Sequence, residues 1–570
     1  MADAGVGGEG VGPRGEVAYL DEEMDAWLAE EFDRAPVAAG ALGLPHFHPR
    51  LDDLSAARFE AEPERTRRWI GRFGALLEAG GLSSDDRIDV ELVLSELGGR
   101  QAVEGWQAWR RDPAVYLQPC LNGVFDLFLH RLAPEAELVE AAVSRLRQVP
   151  TAVADAVANL DPELAPPLLI ERGLQTARAG ATYFRELLPA EVADPNLRSR
   201  VAEAGHQAAV AVEGLASHLE DLGPRCRGSW ALGEERYSEV LRRRQLLPYG
   251  GDEVGRRGEQ EWAQLNGEMN ELAAAVDRHA PRWQAVTAAL AADHPTDPDG
   301  MRQAYEQETV AARRFCVERG LVTPAAGERC VVAPSPLFVR PVLAVASYQA
   351  PPPLTPLRTG HFYVPYPPEG TGEAALLERL ADNGRHAIPS VTVHEAYPGH
   401  HWHLTWSSAS GRPVRHWIRS SYFVEGWALY AERMMSEEGY FADPADQLLH
   451  LAMRIFRAVR MIVDPALHAG AMSPGEAERH LVERAGITEA VARAEVSRYC
   501  AWPTQAPSYL TGALEIEALR DRWRRGPGAG RPLREFHDAI AASPGLPLPL
   551  AARALAAGRQ RPPCPPDGAE

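Results

Sequence analysis

The chain has 570 residues, of which 45% are hydrophobic and 24% are charged, so it holds enough apolar material for a sizeable core. It carries 79 acidic and 59 basic side chains, a formal net charge of −20, and the acids are spread along the sequence. This balance predicts a globular protein and argues against nucleic-acid binding.

The cysteines and the chain start bear on location. The six cysteines lie far apart without a CxxC pair, so neither a disulfide framework nor a thiolate metal site is indicated. The Gly-rich start lacks the basic and apolar regions of a signal peptide, and no run of about eighteen apolar residues follows. The sequence therefore predicts a cytoplasmic protein without a membrane partner, and its richness in Ala, Arg, Gly and Pro is typical of GC-rich bacteria.

Four regions follow one another along the chain. Residues 1–15 and the Pro-rich tail 558–570 are predicted to be disordered. Residues 16–328 show apolar residues at helical spacing and are predicted to form a helical N-terminal region. Residues 329–557, the expected catalytic region, begin with short β-branched and aromatic segments before helical patterns resume. The expected fold class is mainly α with a small β-sheet.

Metal-ligating side chains are concentrated in two segments, His394–His401 and Glu425–Glu432, which hold three histidines and three carboxylates. Neutral imidazole and carboxylate are ligands that zinc prefers, and two histidines with one glutamate leave a position open for water. These segments predict a site for one zinc ion. Glu395, directly after a candidate ligand, is expected to be the general base.

The spacing of the histidines decides which of them can share an ion. Positions i and i+4 share a helix face, but here Pro398 occupies i+4 from His394. His400, at i+6, reaches the ion only if the helix breaks, and Pro398-Gly399 is a pair that breaks it. His401, at i+7, returns to the face of His394 but about 10 Å along the axis. His394 and His400 are therefore favoured, and His401 stays an alternative.

Glu425 and Glu432 are seven residues apart, so they lie on one face of a predicted helix with apolar surroundings. A carboxylate there needs a cation or a hydrogen-bond partner. Glu425 is predicted to be the third ligand. Glu432 is predicted to orient a ligand imidazole through its other ring nitrogen, and a solvent-facing glutamate pair is the alternative.

Several segments resemble the domain-of-unknown-function 885 family, which belongs with the zincin-like metallopeptidases. Glu425-Gly426 is similar to a gluzincin helix segment, and Gly399-His400 is similar to the Gly-His pair of dipeptidyl-peptidase III-like enzymes, which supports His400 over His401. The family often has the sequence Asp-x-Gly-Leu-His. This chain has Asp464 to His468 at the corresponding position, with Ala466 in place of the glycine. The resemblance implies a two-lobed helical fold with a deep cleft and a zincin-like catalytic region over residues 329–557. The matching segments are His394–His401, Glu425–Glu432, Arg460–His468, Arg498–Gly512 and Phe536–Leu548.

Supporting residues are assigned from their chemistry and their place in these segments. Tyr509 and His468 are candidates for stabilising the tetrahedral oxyanion. The strand His361–Val364, which contains Tyr363, is a candidate edge for pairing with an extended substrate. The candidates for binding a substrate carboxylate are Arg498, Tyr499 and Arg520.

The function expected from these features is zinc-dependent hydrolysis of short peptides, because a deep helical cleft excludes folded proteins. One alternative is a metal-dependent enzyme that acts on a small non-peptide amide in a specialised biosynthetic pathway. Another is a metal-binding pseudoenzyme, against which the presence of Glu395 argues. No oligomeric state is predicted.

Overall fold

The computed structural model describes residues 13–280, 282–336, 340, 345–368, 370–408 and 410–558. The first half of the chain is helical, with short 3₁₀ turns and one π-helical turn at Tyr183–Leu187 between helices. Its helices are α1 Pro13–Arg34, α2 Pro36–Ala41, α3 Ala56–Ala79, α4 Ser84–Ala102, α5 Ala114–His130, α6 Glu135–Asn159, α7 Pro167–Thr182, α8 Leu188–Ala190, α9 Pro195–Leu222, α10 Glu234–Arg243, α11 Gly251–Val276, α12 Trp283–Leu290 and α13 Pro298–Glu318.

The second half begins with three strands and then returns to helices. The strands are β1 Arg329–Pro334, β2 Ser347–Gln349 and β3 Thr359–Val364. The helices are α14 Glu373–Ala381, α15 Ile388–Glu395, α16 His400–Ser407, α17 Pro413–Trp417, α18 Ser421–Glu437, α19 Pro444–His468, α20 Pro474–Ala485, α21 Glu489–Ala501, α22 Ser508–Arg525, α23 Leu533–Ala541 and α24 Leu548–Ala556. The prediction of a mainly helical chain with a small sheet is confirmed.

The chain ends and one predicted strand lie partly beyond the described residues. Residues 1–12 and 559–570, which make up most of the two segments predicted to be disordered, are outside the described part, and α1 already begins at Pro13. Residues 341–344 are likewise outside it, so β2 is described only over Ser347–Gln349. Among the described helices, none is both long and apolar enough to cross a membrane.

The sheet has the order β1-β3-β2, with β3 parallel to β1 and antiparallel to β2. The alternating pattern of β3 buries Phe362 and Val364 completely. At Gly360 a side chain is excluded, because a Cβ atom would lie 1.9 Å from the Tyr348 hydroxyl oxygen. The glycine thus lets the Tyr348 ring cross β3.

Three hydrophobic cores organise the helices. The main core joins α1, α3 and α4 to the sheet and to helices as late as α24. Helices α5 to α9 enclose a second core, and α19 to α21 enclose a third. The boundary predicted at residues 328/329 coincides with the start of β1, but the main core extends across it.

Candidate metal centre

The helix that carries the first histidine is broken where the sequence predicts. Helix α15 ends at Glu395 and α16 begins at His400, and the turn between them contains a cis peptide bond before Pro398. A Cβ atom on Gly399 would lie 1.9 Å from the carbonyl oxygen of His394, so no larger residue fits there. The break turns His400 back toward His394.

Three side chains converge at this break. The Nε2 atoms of His394 and His400 lie 3.7 and 3.4 Å from Oε2 of Glu425, and all three ligand atoms lie within 4.8 Å of one another. Bonds of about 2.0–2.2 Å in a tetrahedral zinc site place ligand atoms roughly 3.3–3.6 Å apart. The donor types are those that zinc prefers, and the two histidine–carboxylate distances are close to this spacing. No other group of three such ligands occurs in the described ranges.

Glu432 lies behind the cluster, on the same helix as Glu425. Its carboxylate accepts hydrogen bonds from His394 Nδ1 at 2.7 Å and from the Ser390 hydroxyl at 2.8 Å, and it lies 3.4 Å from His450 Nδ1. The structure thus places Glu432 where the predicted orienting role requires it.

The charges of the cluster favour an added cation. Burial opposes the imidazolium form of His394, but Glu425 and Glu432 outweigh it and raise the pKa of His394 to about 10. Burial also opposes the ionised form of Glu425, yet the imidazoles of His394 and His400 hold the pKa of Glu425 well below its usual range. Positive charge is thus stabilised between these groups.

His401, the alternative ligand, faces away from the cluster. Its Nε2 lies 2.7 Å from Glu328, and its Nδ1 lies 2.9 Å from the Tyr348 hydroxyl oxygen. Glu328 also accepts hydrogen bonds from Tyr397 and Arg313. Both nitrogens of His401 are used by protein groups, so the geometry selects His400. Glu328 could not be predicted from the sequence, because it is too distant along the chain from His401 to give a local signal.

The carboxyl of Glu395 is half-buried beside the cluster. Burial raises its pKa, the imidazoles of His394 and His400 oppose that shift, and the neighbouring Glu425 adds to it. The backbone of Tyr348 in β2 also hydrogen-bonds to it. A carboxylate whose affinity for protons is raised in this way suits a general base.

Helices α18 and α22 touch through two glycines. A Cβ atom on Gly426 would lie 2.6 Å from Gly512 Cα, and one on Gly512 would lie 1.9 Å from the carbonyl oxygen of Tyr422. This contact brings Tyr509, one turn before Gly512, close to Glu425. Burial raises the pKa of Tyr509, and the negative charge of Glu425 raises it further.

His468, predicted to be catalytic, is fully buried in protein contacts. Its Nδ1 accepts a hydrogen bond from the Leu232 N–H at 3.3 Å, and its Nε2 lies 3.0 Å from the carbonyl oxygen of Tyr499. The ring also stacks on Tyr237 with centroids 5.6 Å apart. Both nitrogens are taken, so these contacts do not support a catalytic role.

The residues predicted to bind a substrate carboxylate have acidic partners within the chain. Arg498 lies 2.9 Å from Glu495, and the Tyr499 hydroxyl donates to the same carboxylate at 2.7 Å. Arg520 pairs with Glu437 at 2.8 Å. Because these groups are already paired, their contacts do not support the predicted role.

Tyr363 lies in β3, which is the central strand. It is paired with Ala333 of β1 and Ser347 of β2, and its ring stacks on His361 with centroids 5.7 Å apart. The expectation of a free edge at β3 is wrong, since both of its sides are paired. The strand that borders the cluster is β2.

Helix α19 carries arginines at three-residue intervals, and the middle one differs. Arg454 pairs with Glu517 at 2.9 Å, and Arg460 pairs with Glu495 at 2.8 Å. Arg457 has no carboxylate partner among the described residues, and its guanidinium lies 5.7 Å from the Tyr509 ring. The sequence gives no sign of this difference, because the partners come from other helices.

The chain belongs to the DUF885 family of bacterial proteins of unknown function, whose sequence model matches residues 36–555. No curated protein matches the chain significantly. Two solved structures are similar to it. One is described as a "putative lipoprotein of unknown function" from Shewanella oneidensis; it is 19% identical, covers 94% of this chain and 99% of its own, and has a TM-score of 0.74.

The other is described as a "putative lipoprotein" from Colwellia psychrerythraea; it is 18% identical, covers 95% of this chain and 99% of its own, and has a TM-score of 0.76. At these identities the likeness shows a shared fold. The prediction of a cytoplasmic protein is contradicted by these neighbours, because lipoproteins are not cytoplasmic. That prediction rests on a missing signal, which carries no positive information on location.

Proposed function

We propose that this protein is a zinc-dependent hydrolase that cleaves amide bonds of short peptides. The observation that supports the proposal most directly is the convergence of His394, His400 and Glu425, whose ligand atoms all lie within 4.8 Å of one another. Glu395 adds a carboxyl beside this set. Two histidines and one glutamate leave one position open for a water.

Each residue has a defined task in the proposed reaction. A bound zinc ion would lower the pKa of water to about 7 and polarise the scissile carbonyl. Glu395 takes a proton from the attacking water and delivers it to the leaving amine. Glu432 keeps the His394 ring in its orientation, and Tyr509 donates a hydrogen bond to the oxyanion.

The proposal includes a two-lobed, zincin-like arrangement with a cleft. Support comes from the separate core of α5 to α9 beside the main core that holds the metal ligands. A cavity lies between these bodies, with Ala38, Asp126 and His130 on one side and His416 to Arg419 on the other.

The decisive experiment compares the wild type with Glu395→Gln. Zinc is quantified by mass spectrometry, and turnover is measured with a tripeptide library. We expect one zinc per chain in both proteins and a loss of about 10²–10⁴-fold in turnover in the variant. Glu373→Gln, an exposed change on α14, is the control and retains full turnover.

Three outcomes contradict the proposal. A wild-type protein that binds no zinc removes the metal centre, and a Glu395→Gln variant with full turnover removes the general base. A zinc-loaded wild type that cleaves no member of the library indicates a metal-binding protein instead of a hydrolase.

A further inference from the structure

A cavity of about 420 Å³ is connected through its walls to the elements that carry the candidate metal centre. Helices α2 and α5 form one wall, and the segment His416–Arg419 forms the opposite wall. This segment runs directly into α18, the helix that carries Glu425. The third wall, Gln349–Pro353, continues from β2, whose Tyr348 backbone contacts Glu395. Two walls of the cavity therefore continue into elements that border the metal ligands.

Two of the three arginines that line the cavity are paired with an acid. Glu96 lies 3.1 Å from Arg100 and 3.0 Å from Arg244. Arg419 differs, because it has neither an ion pair nor a side-chain hydrogen bond among the described residues. Asp126 also lines the cavity but lies outside ion-pair distance of Arg419. The cavity thus contains a guanidinium without a counter-charge.

The stem of Arg419 is held in place by its neighbours. Gly545 has a φ of +64°, and a Cβ atom there would lie 3.0 Å from the Cβ atom of Arg419. The next residue, Ser420, donates its N–H to the Gly545 carbonyl oxygen at 2.7 Å and its hydroxyl to Gln245 at 2.6 Å. The Arg419 side chain keeps contact with solvent, although surrounding protein lowers its pKa by desolvation. Its guanidinium is therefore positioned and accessible.

The chain between Arg419 and Glu425 limits the distance between the cavity and the metal ligands. Because α18 begins at Ser421, only the last four of the six steps from Arg419 to Glu425 are helical, and they rise about 6 Å along the axis. The two steps before the helix span at most about 7 Å. An extended peptide spans about 3.3–3.6 Å per residue. The backbones of Arg419 and Glu425 are thus at most about 13 Å apart, a distance that a peptide of about four residues can span.

We propose that this cavity binds the terminal carboxylate of a short peptide substrate and that Arg419 recognises it. The planar fork of a guanidinium matches a carboxylate with two parallel hydrogen bonds. The bound carboxylate supplies the counter-charge that Arg419 lacks in the protein. This inference rests on the proposed function for the identity of the ligand as a peptide, and it narrows the substrates to peptides with a free carboxyl end.

Binding tests the inference without relying on turnover. The full-length Glu395→Gln protein is incubated with one tripeptide library prepared as free acids and again as C-terminal amides, and retained peptides are quantified by mass spectrometry. We expect the free acids to be retained at least tenfold more strongly than the amides. Arg419→Gln in the same background abolishes this preference, and Arg419→Lys restores part of it.

A second variant tests whether the preference for free acids depends on Arg419 in particular. Arg457→Gln removes another arginine without an acidic partner, and we expect it to keep the preference for free acids. The inference is overturned if acids and amides are retained equally, if neither is retained, if Arg419→Gln keeps the preference, or if Arg457→Gln alone removes it.

The two proposals fail in different ways. Zinc content and turnover are measured on wild-type protein from matched preparations. A protein without zinc or turnover that keeps the Arg419-dependent preference defeats the proposed hydrolase and leaves the carboxylate site standing. A zinc-loaded, active enzyme that does not distinguish acids from amides supports the proposed hydrolase and contradicts the carboxylate site.

Discussion

Nδ1 of His394 hydrogen-bonds to the carboxylate of Glu432 at 2.7 Å, and the Ser390 hydroxyl holds the second oxygen of that carboxylate at 2.8 Å. Because the Glu432 carboxylate accepts this hydrogen bond, Nδ1 carries a proton, and Nε2 is the ring nitrogen that faces Glu425 at 3.7 Å. Partners of this kind fix the tautomer and the ring orientation of a metal-ligating histidine.

Glu432→Gln is expected to weaken zinc binding by about 10–100-fold, because an amide orients the imidazole less strongly than a carboxylate. A competition titration with a zinc chelator measures the change, and circular dichroism checks the fold. Glu438→Gln, at the C-terminal cap of the same helix, is the control and keeps the wild-type affinity. Equal affinities for both variants would show that Glu432 does not orient the ligand.

Tyr509→Phe is expected to reduce kcat by about 10²–10³-fold with unchanged zinc content, since it removes one donor to the oxyanion. Steady-state kinetics on a peptide that the wild type cleaves provides the measurement. Tyr499→Phe is the matched control, because that hydroxyl contacts Glu495 and Arg460. A larger loss for Tyr499→Phe than for Tyr509→Phe would reverse the assignment.

Gly399→Ala is expected to displace His400 and to reduce zinc occupancy to below one tenth of the wild type. The reason is steric, because the new methyl group would lie 1.9 Å from the His394 carbonyl oxygen. Zinc analysis after gel filtration gives the occupancy. Gly411→Ala, where no atom lies within 4 Å of a new Cβ atom, keeps full occupancy; full occupancy in Gly399→Ala as well would refute the steric explanation.

The buried ion pairs of Glu31 predict acid sensitivity. Burial opposes its ionised form, but Arg100, at 2.8 Å, and Arg65 outweigh burial and lower the pKa of Glu31 from its ordinary 4.5 to about 2. A lowered folded-state pKa stabilises the fold above the unfolded-state pKa. That contribution, about 3 kcal/mol, is lost as the pH falls from 4.5 to 2.

Glu31→Gln is therefore expected to lower the free energy of unfolding at pH 7 and to reduce its decline between pH 5 and pH 2. Urea unfolding at a series of pH values measures both effects. The exposed Glu22→Gln on the same helix follows the wild-type curve. A Glu31→Gln curve parallel to the wild type would show that Glu31 is not the acid-sensitive group.

The candidate metal ligands can be predicted from the sequence because their signals are local. Each signal lies within one or two helical turns of the residues that it concerns. The signals are the ligand type, the helix-breaking Pro398-Gly399 pair and the seven-residue spacing of Glu425 and Glu432. The structure accordingly brings His394, His400 and Glu425 together.

The surrounding residues depend on partners that are distant in sequence. The ring nitrogens of His468 are occupied by groups at Leu232 and Tyr499, and Glu328 approaches His401 from 73 residues away. Strand order is likewise a tertiary property, so the central position of β3 does not follow from its alternating pattern. The same holds for Arg419, whose lack of an acidic partner emerges only when the cavity walls are assembled.

The contact between Gly426 and Gly512 makes the gap between Glu425 and Tyr509 a property of the main chain. Helices that meet through bare backbone keep their separation when neighbouring side chains are exchanged. The side chains around Glu425 and Tyr509 can therefore differ among relatives, or be substituted by design, while the distance between these two residues stays constant. A methyl group at Gly426 or Gly512 would instead force the two helices apart.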